Sequence, residues 1–277
     1  MANTEDLDEY LKEEYNKLVM QVDTSISLES VILSKENKDK IRQFIKQQSY
    51  KDKLEQAGLE PMNRILMFGA SGTGKTYLSK ALSNHLGYKM LYISIANALT
   101  DGNAAMNVDA VFKIANKLHK CIIFLDDCDS IMWIRDAKSS ESGDIRRATS
   151  SMFQNLDQMD SSNIFISATN MIYRLDPAFE RRFDLKMRFD TPDLDIKQVI
   201  KRFMLPYFRV KDNVGKEYAD IIQMRLRDEE KLSYYGMKNC IENVMKEAVL
   251  NDTNIVETKK IYDELAKLYD IKLKGWE

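Results

Sequence analysis

The stretch RILMFGASGTGKT, residues 64–76, decides how the rest of this 277-residue chain is read. RILMF is a short apolar run of the kind that forms a buried strand. From Lys75 to residue 86, apolar residues recur at helical spacing. Between the two, GASGTGKT (69–76) matches G-x-x-x-x-G-K-[ST] at every fixed position, in the strand–loop–helix context that the motif requires. Gly69, Gly72 and Gly74 let the loop, with Ala70, Ser71 and Thr73, turn its backbone N–H groups toward a phosphate, and the helix that follows adds its positive end. Lys75 brings a point charge to the β- and γ-phosphates, and the Thr76 hydroxyl can ligate Mg2+. A chance glycine-rich turn would not come with both flanking elements.

A second stretch, CIIFLDDCDS (121–130), runs from a β-branched and aromatic segment straight into adjacent carboxylates. Acids beside a core are costly unless they sit at a strand's end, facing solvent or a cation. The carboxyl ends of parallel strands are where open α/β sheets bind ligands. Beside a phosphate loop, Asp126 is then the acid on the Mg2+ side, bound directly or through water. Asp127 faces the γ-phosphate and can act on the attacking water. Asp129 is expected to cap the segment that follows.

Further strands are expected at MLYISI (90–95), NIFISAT (163–169) and KMRFD (186–190), alternating with helical patterns at 108–118 and 145–159. That alternation implies an α/β fold, a parallel sheet with helices on both faces. After Pro192 the strand signals stop. Helical patterns at 196–203, 218–226 and 237–250 imply a small all-helical lid domain. Ahead of the sheet, a charged helix of about 20 residues should end at Gly58 and Pro61. A first helix, capped by Thr4, carries an apolar stripe of Leu7, Tyr10, Leu11, Tyr15 and Leu18 that should pack on its own domain. The expected parts are an N-terminal helical segment (1–26), a large α/β domain (27–192) and the lid (193–277). The serine-rich stretch DAKSSESGD (136–144) should be the most mobile loop.

Charge is nearly balanced, with 41 basic and 43 acidic residues and a net of -2, so there is no global electrostatic case for nucleic-acid binding. Basic clusters at 35–53 and 197–211 read as solvated faces. No apolar run reaches the length of a membrane span, and the acidic start MANTEDLDEY is unlike a signal peptide. A soluble cytoplasmic protein with no membrane partner is expected. Cys121, Cys128 and Cys240 are odd in number and form no CxxC, which argues against a disulfide framework. With only His85 and His119 besides, a Zn site is not expected.

Over residues 27–250 the chain resembles the AAA family of ATPases, in particular compact stand-alone bacterial members distantly related to spastin and katanin. FLDDCDSI is similar to the family's second nucleotide motif, where Asp–Glu is usual. ISATN, ending at Asn170, looks like its sensor strand, from whose carboxyl end an amide can reach the water or γ-phosphate. LDPAFERRFD (175–184) looks like the segment whose paired arginines, here Arg181 and Arg182, reach a neighbouring subunit's ATP. A guanidinium is always charged and can neutralise developing phosphoryl charge. The competing reading is a solvated pair, for which the sequence nearby offers only Glu180 and Asp184. LSYYGMKNCIENV (232–244) is similar to the lid segment whose glycine lies near the adenine, here Gly236 followed by Met237. SVIL (30–33), with Val31 and Ile32, falls where the adenine pocket begins, and Tyr77 joins this nucleotide-contacting set.

The resemblance implies a Mg2+-dependent ATPase with ATP as its nucleotide and Asp127, Asn170, Arg181 and Arg182 as catalytic groups. It implies assembly into a hexamer or other ring with ATP, and work on a protein partner. Two departures bear on this. Asp127 is about 1.5 Å shorter than the usual Glu, the length of one C–C bond. The segment LTDGNAAMNV (99–108) is short and lacks the aromatic residue that polypeptide-threading members carry there, Met106 being its one large apolar side chain beside the flanking Leu99 and Val108. Remodelling of a protein is therefore weighed against a slow ATP switch or assembly regulator, and against a helicase-loader or clamp-loader type of nucleic-acid factor.

Overall fold

The computed structural model describes residues 7–20, 23–93, 103–130, 132, 143–190, 196–227 and 233–271. They fall in two compact units, Met1–Gly69 with Lys75–Phe189, and Ala70–Gly74 with Asp190–Glu277.

In the first unit a sheet runs in the order β1-β3-β4-β5-β2-β6, from β1 (Val19–Met20), β2 (Arg64–Gly69), β3 (Lys89–Ile93), β4 (Cys121–Leu125), β5 (Ile164–Thr169) and β6 (Leu185–Phe189). Every pairing is parallel except that of β1 with β3. The helices are α1 (Glu9–Leu18), α2 (Lys35–Ser49), α3 (Lys51–Gln56), α4 (Lys75–Leu86), α5 (Ala104–Leu118), α6 (Gly143–Asp157) and α7 (Pro177–Glu180).

Successive strand side chains point to opposite faces, and each face here meets a helix layer. Ile65, Met67, Ile122 and Phe124 enter a core with Ile41 and Phe44 of α2 and Leu78 and Leu82 of α4. Leu66, Ile123 and Leu125 enter the other core, with Val111 and Ile114 of α5 and Met152 and Leu156 of α6. That is why CIIFL is apolar and buried at every position. The α/β fold read from the sequence is the fold observed.

Local boundaries differ where side chains reach beyond their own element. The charged helix is two helices, divided at Tyr50 (φ -111°, ψ 18°). Gln47 and Gln48 bond the backbone of Met62 just before the break. The cap of α1 is Asp8, whose Oδ1 accepts from Leu11 N at 2.9 Å, and Thr4 lies outside the described residues. Leu7 and Leu11 are buried against the α5 side of the sheet, whereas Tyr10 is exposed. α5 begins at Ala104, so part of the expected loop is helix and Met106 is on its solvent side. Residues 99–102 of that loop, Ser94 and Ile95 of the second expected strand, and most of DAKSSESGD lie outside the described residues.

The second unit holds α8 (Ile196–Phe203), α9 (Lys216–Arg227), α10 (Tyr234–Leu250) and α11 (Thr258–Leu268). Their core is built on Ile200, Ile222, Ile241 and Tyr262. The expectation of an all-helical lid is corrected by a two-stranded parallel sheet, β7 (Arg209–Lys211) with β8 (Ile255–Glu257). RVK and IVE are too short and too charged to carry a strand pattern, and their pairing joins positions far apart in sequence. Among the described residues no helix is long and apolar enough to cross a membrane. All three cysteines are free and buried.

Gly69 closes β2 at φ +139°, and a Cβ there would lie 1.9 Å from the carbonyl oxygen of Phe189 in β6. Gly69→Ala must therefore push β2 and β6 apart and should lower the melting temperature by several degrees, for a cost of about 1–3 kcal/mol. Gly87, at φ +67° with nothing within 4 Å, is the control, since Gly87→Ala meets only the left-handed backbone cost. A Gly69→Ala protein that melts no lower than Gly87→Ala would contradict this.

Candidate active site

Strands β4, β5 and β2 are neighbours running in one direction, so their carboxyl ends bring Asp126, Asn170 and Gly69 to the same edge of the sheet. Lys75, at the start of α4, is 6% exposed there. Its Nζ donates to the Gly69 carbonyl at 2.7 Å and to Asn170 Oδ1 at 2.7 Å. The Asn170 amide nitrogen in turn donates to Asp127 Oδ1 at 3.2 Å. Asn170 thus turns its carbonyl to the cation and its NH2 to the carboxylate, the one orientation that satisfies both. Burial lowers the proton affinity of Lys75, while the charges of Asp126, Asp127 and Asp129 act against that.

Asp126 is held by hydrogen bonds on both carboxylate oxygens. Its Oδ2 accepts from the Thr76 hydroxyl at 2.9 Å and from the Tyr92 hydroxyl at 3.2 Å. Its Oδ1 accepts from Asp127 N at 3.1 Å. Burial first, then the charge of Asp126, pushes the Tyr92 hydroxyl up to about 12, so it remains a donor. Asp127 sits at φ +48°, a left-handed backbone unusual for a non-glycine residue. Burial, then the charges of Asp126 and Asp129, raises its carboxyl above the usual range, with Lys75 opposing.

The segment that Asp129 is expected to cap lies largely outside the described residues, and the bond observed for this acid runs to β5. Its Oδ1 accepts from the Thr169 hydroxyl at 2.5 Å, and Thr169 Oγ1 accepts from Met171 N at 2.9 Å. This fastens the end of β5, immediately before Asn170, to the acidic loop. Near the expected adenine segment, Ser30 Oγ and Tyr77 Oη are 3.0 Å apart. Val31 is buried with Leu78, and Ile32 is half-buried.

The loop tip Ala70–Gly74 belongs to the second unit. Thr73 Oγ1 donates to the Ala70 carbonyl at 2.7 Å, Gly72 (φ +73°) would place a Cβ 2.7 Å from Ser233 Cβ, and Ser71 is exposed. In that unit Gly236 N donates to Ser233 Oγ at 3.0 Å, and a Cβ on Gly236 would come within 2.6 Å of the Tyr269 hydroxyl. The neighbouring Met237 is buried in the helical core.

The paired arginines differ from each other. Arg182 has an acidic partner that the local sequence hides: it donates from Nε and Nη2 to Asp157 at 2.8 and 2.9 Å and lies 4.5 Å over the Phe153 ring. The expected nearby acids are engaged elsewhere, Glu180 with Lys186 at 2.8 Å and Asp184 with the backbone of Asn63 and Arg64. Arg181 is exposed, its Nε on the Pro177 carbonyl at 3.1 Å. Tyr92, Asp157 and the Asp129–Thr169 pair were not legible in sequence, because each acts across strands or helices rather than within a motif.

Among the described residues no cluster of three or more His, Cys, Asp or Glu is placed to cage a metal. What Thr76 and Asp126 offer is a pair of hard oxygens beside a phosphate loop. That suits a cation which keeps waters and takes phosphate oxygens for the rest of its shell.

Comparison with known proteins points the same way. Residues 65–191 match the ATPase family associated with various cellular activities (AAA). An uncharacterized AAA family ATPase of Sinorhizobium fredii is 28% identical over 193 residues, 69% of this chain and 57% of that protein. A 26S proteasome regulatory subunit 4 homolog of Saccharomyces cerevisiae is 33% identical over 172 residues, 59% of this chain and 39% of that protein. A proteasome-activating nucleotidase of Saccharolobus islandicus is 30% identical over 220 residues, 76% of this chain and 54% of that protein. The chain spans about half the length of the relatives it matches. Phosphate loop, paired acids and paired arginines all lie inside the matched span, and residues 65–191 are an AAA family ATPase domain.

Proposed function

We propose that this protein binds ATP with Mg2+, hydrolyses it within a ring of like subunits, and couples turnover to the remodelling of a protein partner. The observation that carries the reading is the hydrogen-bonded chain from Lys75 through Asn170 to Asp127. An incoming phosphate is a stronger partner for an ammonium than an amide carbonyl is. Lys75 then turns to the phosphates, and Asn170 is left beside Asp127 with an acceptor to spare for the attacking water. Asp127 takes a proton from that water, a role its raised proton affinity favours. Thr76 and Asp126 would hold Mg2+, which when bound neutralises phosphate charge. Arg181, exposed and without an acidic clasp among the described residues, serves as the finger for a neighbour's nucleotide, while Arg182 braces its segment against α6. A protein partner is supported by relatives whose names tie them to the proteasome. The balanced charge lends no support to nucleic acid.

A slow ATP switch without threading is the second reading. One observation favours it: the short Asp127 carboxylate is held against Asn170. Turnover far below about 1 s⁻¹, with no protein that accelerates it, would select that reading.

Lys75→Ala should leave no measurable ATP affinity in calorimetry, and undiminished affinity would defeat the assignment. Arg181→Ala should keep ATP binding and melting temperature but lose roughly 10³-fold or more in turnover. Arg182→Ala should also melt lower, because it leaves Asp157 and the Phe153 ring uncovered. Equal melting of the two arginine variants would contradict the division of labour.

Asp127 also has a signature in stability. Its carboxyl is raised in the folded state, so its contribution is present below the ordinary carboxylate value and is lost as pH rises through the raised one. Measured without nucleotide or Mg2+, Asp127→Asn should melt above wild type at neutral pH, and the gap should close as pH falls through the carboxylate range. A variant that melts lower at neutral pH would mean that attraction to Lys75 outweighs burial and the neighbouring acids.

A further inference from the structure

An aspartate's terminal torsion is broad and is not held by its own backbone. The plane of the Asp126 carboxylate is therefore set by what donates to it. Two of its donors, Thr76 and the backbone N–H of Asp127, belong to the nucleotide machinery itself. The third does not. Tyr92 lies on β3, the strand beside β4, where the register sets it opposite Phe124, two positions before Asp126. Its ring leans on Phe124 with centroids 5.3 Å apart, and it packs against the core on the α4 side of the sheet. A phenol anchored there extends past the strand end, and its oxygen arrives 3.2 Å from Asp126 Oδ2. An aliphatic residue would fill the same space and leave that oxygen with Thr76 alone.

We propose that Tyr92 is a positioning residue for the metal-side acid: its hydroxyl fixes the Asp126 carboxylate so that the Thr76 hydroxyl donates to it and turns its own lone pairs toward Mg2+. Hydrogen bonds from outside a metal's immediate shell orient its ligands, and losing one typically costs 10–100-fold in metal affinity. The inference rests on the ATP and Mg2+ reading above. It concerns only how Asp126 is aimed, and Tyr92 touches neither nucleotide nor the reacting atoms.

The test measures binding, not turnover. The affinity of an ATP analogue with a non-hydrolysable β–γ bridge is measured by calorimetry, with excess Mg2+ and with a chelator, for wild type, Tyr92→Phe, Asp126→Asn and the double variant. Tyr92→Phe keeps the ring on Phe124, so its metal-free affinity and its melting temperature should match wild type. Its Mg2+-dependent gain in affinity should shrink roughly tenfold. In the Asp126→Asn background, removing the hydroxyl should cost nothing further, since Tyr92 acts through that carboxylate. A full Mg2+ gain in Tyr92→Phe would overturn the inference. So would an equal loss with and without Mg2+, or an added loss in the double variant, either of which would show a purely structural role. A wild type that binds the analogue but gains nothing from Mg2+ would overturn the Mg2+ reading and this inference together, whereas failure confined to Tyr92→Phe leaves that reading standing.

Discussion

A buried ammonium needs partners. Lys75 finds them in the Gly69 carbonyl and the Asn170 amide at the common edge of β2 and β5. Neither partner carries a formal charge, while three aspartates stand near enough to favour the charged lysine. The arrangement holds the cation in place at the carboxyl edge of the sheet. A cation held at the head of a helix is a standing invitation to phosphate. The rest of the site follows from keeping it so. Asn170 is pinned between Lys75 and Asp127, and Asp126 is tied to Thr76 and Tyr92.

The sheet makes this possible because parallel strands deliver their carboxyl ends together. β4 is apolar on both faces to its last residue and polar immediately after, and β2 and β5 likewise end in polar loops, so side chains that could not be buried singly meet one another at the edge. The Asp129–Thr169 bond fixes the strand end that carries Asn170, and Tyr92 reaches the acid from the far side. Two of these links, Thr169 and Tyr92, are hydroxyls. They donate to carboxylates without adding a cation that would compete with Lys75.

Much of this was legible in sequence because it is local. RILMFGASGTGKT, CIIFLDD and ISATN each join a short strand-forming run to the polar residues that end it, so strand, strand end and chemistry are read from one stretch. What stayed hidden depends on non-local pairing. Asp157 is remote from Arg182 along the chain and becomes its partner only when α6 lies beside α7. Asp129 also bonds Thr169, which sits at the end of β5 and is 40 residues away along the chain. Tyr92 looked like one more strand residue, since its hydroxyl means nothing until the β3–β4 register is known. The β7–β8 pair escaped because three-residue charged strands have no pattern to find. The break of the charged helix at Tyr50 goes with glutamine side chains before it that bond the backbone of Met62, again a contact made at a distance.

The central claim is that one subunit's phosphate site is completed by a neighbour's Arg181. The most direct measurement is phosphate release from ATP by the wild-type protein across a range of protein concentrations. The account predicts that release per subunit rises with concentration and reaches a plateau as the subunits assemble. Release per subunit that is constant down to the most dilute protein, or absent at every concentration, would contradict it.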